Sequence, residues 1–345
     1  MITAPIYSID RFRINTDGHG IRTLVALHGC PLDCKYCINP ESRHSGNYKM
    51  MTTEELHNAI SVDDMYMMAT KGGVTFGGGE PLLYADFIKE YMDKYSYGFP
   101  VVIETSLNVP FENVEKVASG NAWYIVDIKS LNRQIYGQYT GKSNQRVLEN
   151  LEWLMNKKSN AVTVRIPLIP DYNSADDVAK SKKVLVKAFD DFGIDEFEYV
   201  KEVPRVSEKE SAEYGHSVCK SLTDIRHLVA EENGIRFEAH ECNHTGPCSG
   251  TCSFCDAEYD YIKSELIKDI GKGREIRLYG IMEKQQSIEK KPKVKYRRHF
   301  ISHQLTGLVL PQSDEYIKFC YRLNNERWAL SKIASKLKEY DKNGQ

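Results

Sequence analysis

The chain of 345 residues has no apolar run long enough to cross a membrane as a helix, and its N-terminus lacks the basic, apolar, then small-residue pattern of an export signal. It also has almost no net charge. Its 46 Lys and Arg against 48 Asp and Glu leave −2, so no broad electrostatic field recruits nucleic acid or an anionic membrane. No internal repeat or low-complexity tract is present. These absences predict a cytoplasmic globular protein with no nucleic acid and no membrane as partner. With 41% hydrophobic residues the chain can build a sizeable core, and its length suits two domains, or one with an appendage. What it does have is cysteine. Nine cysteines in a chain without an export signal read as metal ligands rather than disulfides.

The first group lies in GHGIRTLVALHGCPLDCKYCINPE, residues 18–41, where Cys30, Cys34 and Cys37 follow the spacing C-x3-C-x2-C in a loop marked by Gly29 and Pro31. Thiolates are the usual ligands of iron–sulfur clusters, and three of them on a [4Fe–4S] cube leave one iron open to a ligand that is not protein. An open corner is what a cluster needs in order to bind and reduce a substrate or cofactor. A structural zinc loop and three unrelated thiols are the plainer readings. Zinc favours four protein ligands in paired spacings, and no fourth lies nearby at such a spacing, so the site-differentiated cluster is preferred.

In order, 4–12 reads as an edge strand, 13–20 as a glycine-containing turn and 23–29 as a buried strand leading into the cysteine loop. A helix starts near Thr52 or Thr53, with Glu55 close to capping-box spacing. GGVTFGGGEP reads as strand plus glycine loop; further strands are expected at 100–106, 122–130, 161–170 and 196–203. Helices are expected at 85–95, 110–119, 145–157, 174–192 and 220–233. Strands alternating with helices imply a parallel sheet with helices packed outside it, and about six units predict a partial (β/α)6 barrel. Active sites in such sheets lie at the C-terminal strand ends.

The stretch around the first cysteines resembles the radical S-adenosylmethionine (SAM) superfamily, and within it the activating proteins of glycyl radical enzymes. The resemblance is carried by Gly18, Gly20, Ile21, Arg22, Thr23, Gly29, the three cysteines, Tyr36, Asn39, Pro40 and Glu41, and it covers roughly residues 1–205. It implies a partial TIM-like barrel in which Cys30, Cys34 and Cys37 hold a [4Fe–4S] cluster that cleaves SAM to a 5′-deoxyadenosyl radical, which then abstracts a hydrogen atom from substrate. It implies a protein or peptide substrate, most readily the glycine of a partner enzyme, and a flavodoxin- or ferredoxin-type electron donor. Gly78, Gly79 and Glu80 of GGGEP resemble the loop that receives the amino group of SAM. Glu104 and Thr105 match an acidic-Thr pair beside the SAM carboxylate or a cation there. Asp127 and Lys129 match D-x-K, with Lys129 neutralising a carboxylate, and Arg165 resembles an arginine near SAM. Tyr36, before the third cysteine, joins the cofactor-binding set. One departure stands out: FEYVKEVPR carries no histidine where these activators often have one near the adenosine.

A second group, Cys242, Cys248, Cys252 and Cys255, follows C-x5-C-x3-C-x2-C with His240 and His244 interspersed. Four thiolates satisfy structural zinc or a fully ligated auxiliary [4Fe–4S] cluster equally well. The second is preferred because the chain already reads as an iron–sulfur protein. Auxiliary clusters placed after the barrel suit the alternative activity, direct modification of a peptide or small metabolite. Cys219 and Cys320 stand alone in sequence and read as ordinary buried or surface thiols. The expected domains are a barrel over 1–236, a cysteine-rich region over 237–283 and a basic linker with a helical tail over 284–345. Within the second span, 257–269 reads as a helix and REIRLYGI as a strand. Exposed clusters would make the protein oxygen-sensitive, which points to an anaerobic setting.

Overall fold

The computed structural model describes residues 2–14, 16–44, 46–96, 101–199, 208–242, 244 and 252–282. The chain begins with β1 (Thr3–Ile14), β2 (Ile21–Leu27), the short α1 (Glu41–His44), β3 (Lys49–Thr52), α2 (Thr53–Ile60) and α3 (Asp64–Ala69). Strands and helices then alternate through β4 (Gly73–Gly78), α4 (Ala85–Tyr95), β5 (Val101–Thr105), α5 (Phe111–Ala118) and β6 (Ala122–Asp127). They continue through α6 (Arg133–Thr140), α7 (Gln145–Lys158), β7 (Val162–Leu168), α8 (Ala175–Ala188) and β8 (Gly193–Glu198). Two long helices, α9 (Glu208–Glu232) and α10 (Ser253–Gly271), follow.

The eight strands form one sheet in the order β3-β1-β2-β4-β5-β6-β7-β8. β2 and β4 to β8 are parallel neighbours in chain order, while β1 and β3 add antiparallel at the β2 side. Six parallel strands make the expected partial (β/α)6 barrel, open between β3 and β8. All seven residues of β2 are buried, as in a strand covered on both faces.

Strand alternation decides which side chains face the interior. Val101 and Ile103 of β5, Tyr124 and Val126 of β6, and Val164 and Ile166 of β7 point out into the core beneath the helices. Their neighbours Glu104, Asp127 and Arg165 must therefore point in. A one-residue slip of β5 would exchange Ile103 for Glu104 in that core. Burying one such aliphatic side chain is worth roughly 2 kcal/mol, so packing favours the observed register over the slipped one.

A second core lies where α9 and α10 meet α3: Met65, Tyr66, Leu222, Val229, Ile262 and Leu266 pack there with Phe12 and Ile21. The helix of the cysteine-rich region thus shares a core with α9, which belongs to the barrel span of the expected division. Ile276 and Leu278 of REIRLYGI fill this same core, but the segment forms no strand, contrary to expectation. Their apolar side chains are used for packing, and the sheet order leaves them no strand to pair with. β8 starts at Gly193, three residues before the expected 196, paired to Thr163. β3, α3 and α6 were not expected from the sequence; each is short, and none shows a clear periodicity. Residues 200–203, Cys248 and the tail from 284 fall outside the described residues.

Thr52 is the N-cap of α2 and forms the anticipated capping box: its Oγ1 accepts from Glu55 N at 3.1 Å while Glu55 Oε2 accepts from Thr52 N at 2.8 Å. Thr52→Ala is expected to cost about 1 kcal/mol in urea unfolding, and Thr52→Ser close to nothing. Equal loss in both variants would contradict the capping role.

Candidate active site

The cysteine loop leaves the end of β2 and is fastened on two sides. Toward β4, Gly79 N donates to Leu27 O (2.9 Å) and Glu80 N to Gly29 O (2.7 Å). Toward α6, Asp33 N donates to Thr140 O (2.9 Å) and Lys35 N to Tyr139 O (3.2 Å). Gly78 has φ +89°, and a Cβ there would stand 2.6 Å from Ala26 Cβ; a Cβ on Gly79 would stand 2.1 Å from Gly29 O. Both glycines are therefore required by the loop-to-loop contact itself.

Glu80 clamps this junction to β5. Thr105 Oγ1 donates to its Oε1 at 2.6 Å, Ser106 Oγ and N donate to its Oε2 at 2.6 and 2.9 Å, and Leu82 N donates to its Oε1 at 3.2 Å. Four donors match the acceptor capacity of a carboxylate. Burial pushes the Glu80 carboxyl above its ordinary range, with the Ser106 and Thr105 hydrogen bonds opposing.

Cys30, Cys34, Cys37, Tyr36, Gly78, Gly79, Glu80, Glu104, Thr105, Asp127, Lys129 and Arg165 all line one cavity, whose open space, mouth included, is about 810 Å³. These twelve comprise every residue assigned to the first site from the sequence. None of the described cysteines of the second group, Cys242, Cys252 and Cys255, is in this lining. Burial raises the Cys30 thiol to about 12, with Glu80 adding to it, and burial raises the Cys34 thiol to about 11. Three thiols held among carboxylates suit a cationic metal body, whose charge reverses that pKa trend.

The interior charges are arranged by strand register. Asp127 of β6 stands opposite Arg165 of β7. Arg165 binds Glu104 of β5 through Nη1, donates from Nη2 to Thr16 O (3.1 Å), and its Nε lies 3.8 Å from Asp195 Oδ2. Lys129 binds Asp127 and the hydroxyl of Tyr199, which also donates to Asp127 Oδ2. Although burial penalises its charge, Asp127, then Tyr199 and Cys34, hold the Lys129 ammonium well above its usual value. The pair is largely buried, with side-chain exposures of 12% for Lys129 and 18% for Asp127, so it is not a solvated surface pair. Glu104 Oε2 and Asp127 Oδ1 are buried and have no hydrogen-bond partner, so two carboxylate oxygens at the cavity are left with no protein donor. Together with the thiols, this donor set fits a metal cluster and a ligand carrying ammonium and hydroxyl groups.

Sequence reasoning leaves Tyr199 as ordinary core and singles out neither Ser106 nor Tyr139; all three also line the cavity. Tyr199 stands two residues beyond Phe197, another lining residue, so period-two alternation was its available signal. Tyr139 sits on α6, a helix the sequence did not announce. Tyr36 donates to Asp171 Oδ2 at 2.9 Å and packs edge-on against Tyr139 and Tyr172.

A doubly connected site on a partial barrel defines a class, and comparison with known proteins agrees. The family model described as the Radical SAM superfamily matches residues 24–181. The (2S)-3-sulfopropanediol dehydratase activating enzyme of Klebsiella oxytoca is 31% identical over 230 residues, covering 49% of this chain and 72% of that one. The 4-hydroxyphenylacetate decarboxylase activating enzyme of Clostridioides difficile (strain 630) is 28% identical over 236 residues, covering 50% and 74%. The pyruvate formate-lyase 2-activating enzyme of Escherichia coli (strain K12) is 28% identical over 215 residues, covering 53% and 73%. The chain belongs to the radical SAM superfamily, among the activating proteins of glycyl radical enzymes. It is an enzyme of that type, and the family carries a [4Fe–4S] cluster and SAM. No helix among the described residues is long and apolar enough to cross a membrane.

Arg165→Met would strand Glu104 in the barrel and is expected to destabilise the fold by about 3 kcal/mol. Burial, with Arg165 opposing it, already raises the Glu104 carboxyl. In the variant the folded state would hold this proton to still higher pH than the unfolded chain does. The loss should therefore be small in acid, where Glu104 is protonated in both states, and grow as pH rises through the carboxylate range. Urea unfolding at about pH 5 and about pH 8 checks this; a pH-independent loss would contradict the pairing.

Proposed function

We propose that the chain activates a partner enzyme by removing a hydrogen atom from a glycine of the partner's backbone. The observation that carries this reading is the convergence of the three thiols, the glycine loop and the strand-end charges of β5, β6 and β7 on one cavity. It is supported by relatives that are named activating enzymes.

In this reading Cys30, Cys34 and Cys37 hold the [4Fe–4S] cluster, and Gly78, Gly79 and Glu80 present their backbone oxygens to the amino group of SAM, the Glu80 carboxylate being used to anchor the loop. When bound, the cluster and SAM supply an electron and a hydrogen-abstracting radical, the electron coming from a flavodoxin- or ferredoxin-type donor. Lys129 offers a buried cation to the SAM carboxylate. Glu104 Oε2 and Asp127 Oδ1 accept from ligand hydroxyls or face a cation there. Arg165 and Tyr199 act as positioning residues, holding those two carboxylates by their other oxygens. Thr105 holds Glu80, and Tyr36 closes the wall beside the third cysteine. The walls exclude water, which strengthens each of these contacts.

The second cysteine group, in the region 237–283, is proposed to carry a metal centre of its own. The place of Cys252 and Cys255 at the start of α10 favours one alternative activity, direct modification of a peptide or small metabolite with the layer of α9 and α10 helping to hold the substrate. Anaerobic affinity capture of the tagged chain from its native cells, followed by mass spectrometry, separates the two. A large partner with a glycine-radical loop is expected. A short precursor peptide would overturn the activator reading in favour of the alternative.

Lys129→Met is expected to weaken SAM binding by the anaerobically reconstituted protein about tenfold, the worth of one charge-assisted contact. Equilibrium dialysis with labelled SAM reads this directly, and unchanged affinity would remove Lys129 from the binding set.

A further inference from the structure

Cys219, isolated in sequence, is not isolated in space. It lies buried on α9 with its Sγ 3.7 Å from Sγ of Cys255, which is buried on α10. Cys252, the N-cap of α10, brings its side chain within hydrogen-bonding reach of Cys255 and makes no cap hydrogen bond of its own. Cys242, counted as a ligand from its spacing, is exposed. Beside the sulfurs sits Arg226, 1% exposed, with Nη2 at 3.8 Å from Cys255 Sγ and a buried Nε that has no partner. Its other contacts are Tyr66 (2.7 Å), Thr223 (2.8 Å) and Glu258 (2.8 Å).

We propose that Cys219, Cys252 and Cys255 supply three of the four ligands of a single tetrahedral ion of the zinc type clamped between α9 and α10. This inference rests on the reading that the second cysteine group carries a metal. Metal–sulfur bonds of about 2.3 Å at tetrahedral angles put two ligand sulfurs about 3.8 Å apart, close to what Cys219 and Cys255 show. Thiolates of a [4Fe–4S] cube each bind a different iron and stand much further apart. Among the described residues no three metal-binding side chains already stand at single-ion distance. Metal binding here therefore requires a rotamer change at Cys252, whose side chain makes no cap hydrogen bond, to bring in the third sulfur. Each thiol gives up its proton on binding, and the anionic centre that results faces the buried guanidinium of Arg226.

The test uses the full chain carrying Cys30→Ala, Cys34→Ala and Cys37→Ala, so that the first site contributes no metal. The protein is loaded in parallel with zinc, with cobalt(II), or anaerobically with iron and sulfide, and stoichiometry and thiolate-to-metal absorption are read with and without Cys219→Ser or Cys242→Ser. Circular dichroism checks that each variant is folded; Cys219→Ala replaces Cys219→Ser if the buried hydroxyl unfolds the chain. The expected result is one tightly held ion per chain, lost or weakened at least tenfold by the Cys219 substitution and retained by Cys242→Ser. Retention after loss of Cys219 would overturn the assignment while leaving a second metal centre in place. Four irons per chain with broad visible absorption would overturn the single ion. No metal in any variant would overturn the second centre itself.

Discussion

Everything at this site depends on how two loops are held together. The cysteine loop and the glycine loop meet at the ends of adjacent parallel strands through Gly79 N to Leu27 O and Glu80 N to Gly29 O. The space for this contact exists because neither Gly78 nor Gly79 carries a side chain. Glu80 then ties the junction to β5 through four donors. A carboxylate buried this deeply is costly unless its lone pairs are filled, and here they are. The sulfurs, the glycine carbonyls and the β5 end are thus held as one unit, which favours a fixed spacing between the three thiols and the loop proposed to receive SAM.

Around that junction the interior of the barrel is built from pairs that satisfy each other incompletely. Arg165 takes one oxygen of Glu104, and Lys129 with Tyr199 takes one oxygen of Asp127. The other oxygen of each carboxylate is buried and unmatched. A structural ion pair would be expected to use both. Leaving one acceptor of each toward a cavity is what a binding site requires, and the protein holds that arrangement through the apolar packing of the same strands' outer faces.

Much of this was legible in the sequence because it depended on local periodicity. The six parallel strands, α4, α7 and the capping box of α2 follow from alternation, helical spacing and one Thr-to-Glu interval. Glu104, Asp127 and Arg165 could be assigned to the interior because each lies next to an outward-facing aliphatic in its strand. Tyr199, Ser106 and Tyr139 were less accessible, since their roles arise from contacts across 25 or more residues. The nearness of Cys219 to Cys255 depends on how α9 packs on α10, which no spacing encodes. REIRLYGI shows the converse: its alternation suggested a strand, but the second core used its apolar side chains directly.

The central claim is that the first three cysteines and the cavity they line form a centre that reductively cleaves SAM. The most direct measurement is anaerobic turnover of SAM by reconstituted, chemically reduced protein, compared with the Cys34→Ala variant. Methionine and 5′-deoxyadenosine are expected in equal amounts from the native chain and neither above background from the variant. Equal turnover by both proteins would contradict it.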